Sequence, residues 1–153
     1  MGSKACLVAV MLATAIVLSG QTPSRDPAAS PACSYLSRDD AAAALSETVT
    51  GPKGVSVGGG TSSCEYSGSG IHTVHLNVIA MDAATMAMYK AMCAKKGRDG
   101  LTGLGDVACW YNDKHGELQV VKGTTFFSIQ LRRSGDPTEA IKGVARKVYE
   151  RVK

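Results

Sequence analysis

The residues of this 153-residue chain with the strongest intrinsic chemistry are five cysteines, three histidines and six methionines. Their spacing limits what they can do. No two cysteines stand in the short C-x-x-C arrangement that a tetrahedral zinc site favours. His72 and His75 form an H-x-x-H, which would chelate from one helix face. The surrounding segment alternates polar and apolar residues like a strand, where residues three apart point to opposite faces. His115 falls in a turn. Met81, Met86, Met88 and Met92 crowd twelve residues, and thioethers are soft ligands suited to copper. Met also fills irregular core gaps, and at helical spacing Met88 leaves the face shared by Met81 and Met92. Acyl-transfer chemistry has no signature: G-x-S-x-G is absent, and Glu65 and Glu117 stand singly on their strands. The G-L-G-D at 103–106 lacks the G-x-G-x-x-G and P-loop patterns and precedes a strand, so a turn is expected, with Asp106 bonded to backbone N–H groups or exposed. No cofactor, metal ligand or catalytic residue is assigned.

The first 20 residues set the redox context. Lys4 precedes an uncharged apolar run at 6–18, and Ser19-Gly20 supplies small residues for cleavage after one or the other. This is the pattern of a secretory signal peptide, too short for a comfortable membrane span. Residues 21–32 read as a disordered linker, and 33–153 as one domain. Export removes Cys6 and leaves Cys33, Cys64, Cys93 and Cys109, an even count in an oxidising compartment. Three pairings are possible. Cys33–Cys64 and Cys93–Cys109 are favoured because each joins neighbours along the chain. Oxidation would also remove the thiolate that a nucleophilic cysteine needs. The formal charge is +4, and export takes away Lys4. That balance is too weak to argue for nucleic acid. No transmembrane helix is expected in the mature chain, and a monomer is expected.

The elements follow from periodicity. Ser37 caps a helix running to about Leu45, with Asp39 and Asp40 in its first turn. Residues 54–57 form a weak strand and 62–66 a short one. Residues 71–80 are the clearest strand, with Val74, Leu76 and Val78 on one face and Thr73, His75, Asn77 and Ile79 on the other. Asp82 caps a second helix, Met81 and Met86 form a hydrophobic staple, and Gly97 closes it. Strands over 107–112, 117–121 and 124–132 form a meander. Asp136 and Pro137 then open an amphipathic helix carrying Ile141, Val144, Ala145 and Val148 inward. The class is α+β: antiparallel sheet with helices packed on one face, and each half reads as sheet-then-helix, a possible degenerate two-fold repeat.

Two surfaces are candidates for binding. Cys109 and Trp110 are neighbours on a strand and face opposite ways, so pairing Cys109 with Cys93 turns the Trp110 ring to the other side. Arg132, Arg133, Lys142 and Arg146 gather on and before the last helix, where they either complement its dipole or meet an anionic envelope polymer or headgroup.

Several stretches have a family look: C-S-Y-L-S-R-D-D-A-A-A-A-L at 33–45, C-E-Y at 64–66, G-L-G-D-V-A at 103–108, K-G-T-T-F-F-S-I at 122–129, and E-A-I-K-G-V-A-R-K-V at 139–148. Together they resemble small exported bacterial domains of unknown function, found in lipoproteins and secreted proteins of actinobacterial type. The resemblance implies an α+β domain and a Cys33–Cys64 disulfide, and it carries no catalytic residues. The lipidation cysteine of such lipoproteins is missing: Gln21 follows the small residues. The expected function is an exported, non-catalytic envelope or extracellular domain that binds a partner. The alternatives are a small-ligand or copper-binding protein using His75 or the Met81–Met92 cluster, and an exported enzyme of unrecognised type.

Overall fold

The computed structural model describes residues 30–95 and 101–153. The expected signal peptide, residues 21–29 of the expected linker, and Lys96, Gly97 and Arg98 lie outside the described residues.

The fold reaches back to Ser30, three residues before the expected start. Pro31–Tyr35 forms a short helix, α1. Ala32 is buried, and Ser30 donates its hydroxyl to the Ser63 carbonyl at 2.7 Å. Pro31 suits a helix start because it lacks an N–H that would go unpaired there. Arg38–Leu45 forms α2, opened by a capping box in which Ser37 and Asp40 satisfy each other's backbone amides. The two orphan donors at this terminus are thereby paired.

Six strands make one antiparallel sheet. β1 (Thr50–Val57), β2 (Thr61–Ser67) and β3 (Thr73–Ala80) form one meander. β4 (Val107–Trp110), β5 (Glu117–Lys122) and β6 (Thr125–Arg132) form the other. They join where β3 pairs with β6, so the order is β1-β2-β3-β6-β5-β4. β1 begins earlier than its sequence suggests, because Gly51 and Pro52 look like breakers. An edge strand tolerates Pro, whose missing N–H has no ladder bond to lose. The irregular register between Thr50 and Lys53 absorbs it, and the Arg38 guanidinium holds the Val49 and Gly51 carbonyls from α2.

The core fills one face. Cys64, Tyr66, Val74, Leu76, Val78, Leu118, Val120, Phe127, Ile129 and Leu131 alternate inward along their strands and are buried. α1, α2 and α4 (Thr138–Arg151) close over them, α4 inserting Ile141, Val144, Ala145 and Val148. Each such side chain contributes roughly 1.5–3 kcal/mol by leaving water. The expectation of helices on a single face holds for these three and fails for the fourth. α3 (Ala83–Lys95) crosses the opposite face, where Met86 packs with Val121 and Phe126, bordered by Ile79, Met81, Tyr89 and Val107. The cause lies in β5 and β6: Val120-Val121 and Phe126-Phe127 put apolar side chains on both faces, so each face needs a cover. Asp82 caps α3 by accepting the Thr85 amide at 2.8 Å, and Met81 and Met86 meet as the staple requires. No described helix is long and apolar enough to cross a membrane.

Candidate functional site

Two disulfides tie helices to opposite faces of the sheet. Cys33 of α1 bonds Cys64 of β2 on the core face. Cys93 of α3 bonds Cys109 of β4 on the other. Trp110 faces away from Cys109, as strand alternation requires, but this direction leads into the core. Its ring is 7% exposed, so it offers no open binding surface. His115 stacks on it at 4.5 Å and meets the Thr138 hydroxyl through Nδ1 at 3.2 Å. The turn histidine is thus a lid on the tryptophan. Asp106 accepts from the Gly123 amide and from Lys90, whose ammonium lies 2.8 Å away.

The basic stripe is largely engaged within the fold. Asp40, 4% exposed, receives Lys147 at 2.8 Å and the guanidinium of Arg151. Burial alone would raise this carboxyl, but the bonds from Arg151, Lys147 and Ser37 outweigh it and hold it well below the usual carboxylate range. Arg133 donates to the Ala44 carbonyl at the end of α2 at 2.6 Å. Lys142 pairs with Glu139 at 2.9 Å. Of the four basic residues singled out from sequence, Arg132 and Arg146 lie exposed without such a contact. The stripe is first a helix-packing device.

The methionines differ in exposure, Met92 being 45% exposed. Met86 is buried and Met81 half-buried beneath α3, whereas Met88 is 54% exposed. Among the described residues no group of three His, Cys, Asp or Glu side chains is placed to hold a metal ion.

What the fold does assemble is a polar floor on the α3 face. Pairing sets Lys53, Glu65, His75, Gln130 and Glu117 side by side across five strands. The next row is Val55, Ser63, Asn77, Ser128, Gln119 and Cys109, and the third is Val57, Thr61, Ile79, Phe126, Val121 and Val107. α3 seats Met86 on the third row and reaches the second through the Cys93–Cys109 bond. Gln130 donates to Glu117 at 2.9 Å, and Gln119 to the other Glu117 oxygen at 3.4 Å. His75 is half-buried between Glu65 and Glu117. Burial lowers its pKa below the usual value, against the opposing pull of the two carboxylates. At neutral pH it presents an uncharged ring with one donor and one acceptor. The 71–80 alternation places His75 and Asn77 together, but Ser63, Glu65, Glu117, Gln119, Ser128 and Gln130 join them only through register, which local pattern does not encode.

Neither a family model nor a curated protein nor a solved structure matches this chain. The site is therefore read on its own chemistry.

A second constellation forms just before the N-terminal end of β3, three residues from His75. His72 Nδ1 lies 2.7 Å from Glu47 Oε1, and its Nε2 lies 3.2 Å from Ser134 Oγ. Ser69 donates to the other Glu47 oxygen at 2.6 Å. The strand expected over 71–80 begins only at Thr73, so His72 stands in the turn before it, with partners different from those of His75.

Proposed function

We propose that this chain is an exported binding domain of the cell envelope or extracellular space, and that the polar sheet face takes an uncharged, hydroxyl-rich ligand such as a glycan chain. The observation that supports this reading is the two-row array of Ser63, Asn77, Gln119, His75 and Gln130, a dense set of hydroxyl, amide and imidazole groups on one sheet face, with Ser128 buried among them. Such groups donate and accept in alternation, as sugar hydroxyls do. The charges do not favour an anionic ligand: Lys53 and Arg132 on this face are offset by Glu65 and Glu117, and Lys147 and Arg151 are engaged in holding α2 to α4. Export is supported by the signal-like first 20 residues and by two disulfides that need an oxidising compartment.

Calorimetric titration with soluble neutral glycan fragments tests the reading. The intact domain binds, and His75→Ala and Gln130→Ala each weaken binding about tenfold, the worth of one lost hydrogen bond. Binding confined to anionic polymers, and abolished by Arg132→Ala or Arg146→Ala, would overturn it.

A further inference from the structure

The Glu47–His72–Ser134 constellation goes beyond a binding role. Its parts come from three connections distant in sequence: the segment after α2, the turn between β2 and β3, and the loop after β6. The Ser134 amide points its N–H at His72 Nε2 from 3.3 Å. An amide N–H only donates, so Nε2 holds the lone pair and Nδ1 the proton. Nδ1–H then donates to Glu47, and the single Nε2 lone pair is shared between the Ser134 N–H at 3.3 Å and the Ser134 hydroxyl at 3.2 Å. This is a nucleophile, a base and an orienting carboxylate in hydrogen-bond series. The Glu47 carboxyl is itself held below its usual range, first by the Ser69 hydroxyl and then by His72, so it stays ionised beside the ring. Ser134 is exposed at the surface, open to a substrate.

We propose that Ser134 is a nucleophile for acyl transfer from esters, with His72 as its general base and Glu47 as the positioning residue. Ser134 Oγ bonds to the ester carbonyl carbon as its proton passes to His72 Nε2. The carbon–alkoxide bond breaks, and the departing oxygen takes that proton from Nε2. Water then attacks the acyl-serine, gives its proton to Nε2, and releases the acid as Ser134 Oγ recovers the proton. The net change is ester plus water to acid plus alcohol.

The full mature chain treated with a fluorophosphonate probe tests this, with adduct position read by tandem mass spectrometry. The expected result is a single adduct on Ser134, absent in Ser134→Ala and formed roughly a hundredfold more slowly in His72→Ala. Glu47→Gln slows it less. If His72→Ala fails to fold by circular dichroism, His72→Gln, which keeps a polar side chain facing Glu47 and Ser134, takes its place and must slow labelling to the same degree. A cluster that only ties three loops together would lower thermal stability when cut, yet leave Ser134 inert to the probe. No adduct on Ser134, or an adduct rate indifferent to His72, would overturn the proposal.

Discussion

Asp40 shows how much one residue can decide. Its carboxylate closes the capping box of α2, receives Lys147 and Arg151 from α4, and is nearly sealed from water. Removing one partner of a buried pair leaves the other charges uncompensated, so Asp40→Ala should cost roughly 3 kcal/mol, the low end for such pairs because Lys147 and Arg151 remain partly solvated. Chemical denaturation measures this. The pH dependence has a definite sign. A carboxyl with a depressed folded-state pKa stabilises the fold above its ordinary value of 3.8, and that contribution fades as pH falls toward the depressed value. Ser37 and Asp40 were legible as a helix start, whereas the clamp to α4 was not, since it joins residues 111 positions apart. His75 acts with the same sign in acid, though at higher pH. Its folded-state pKa is lowered, so below its ordinary value of 6.5 the unfolded chain binds the proton more readily and stability falls with pH. A proton–carbon NMR titration should place its midpoint below 6.5, and a midpoint above that value would mean that the carboxylates, not burial, govern the ring.

At the scale of elements, α3 is the surprising one. Its sequence, with Met and Ala on every side, hides which face packs, and local periodicity therefore could not say which side of the sheet it takes. The decision lies in its partners: Phe126 and Val121 demand cover, and Cys109 must find Cys93. Replacing both cysteines by serine should lower stability by about 3 kcal/mol if the closed loop mainly restricts the unfolded chain. Amide hydrogen exchange should then speed up in α3 and β4 while α1, α2 and α4 keep their protection. Equal acceleration on both faces would contradict the separate packing of the two covers. The edge strand β1 was half legible for a related reason: Gly51 and Pro52 argue against a strand locally, and only the pairing with β2 overrides them.

At the scale of the whole molecule, the α+β class and the antiparallel sheet followed from the alternation of 71–80 and 124–132 and from the caps at Ser37 and Asp82; the last helix begins one residue later than Asp136-Pro137 suggested, at Thr138, with Pro137 in the cap position. The order β1-β2-β3-β6-β5-β4 did not follow from local pattern, because joining the two meanders through β3 and β6 is a long-range choice. That junction creates both candidate sites. It lays His75 against Gln130 and Asn77 against Ser128, and just beyond the Thr73–Arg132 pair it brings His72 within reach of Ser134. Trp110 was read in the right direction but toward the wrong medium: the side opposite Cys109 is core. The binding account rests on the polar rows of β2, β3, β5 and β6, and amide shift mapping of the isotopically labelled domain with soluble neutral glycan fragments tests it most directly. Perturbed side-chain amides of Asn77, Gln119 and Gln130 and a shifted His75 ring are the predicted result. Perturbations confined to α4 and the Arg132–Ser134 loop, or none at saturating glycan, would contradict it.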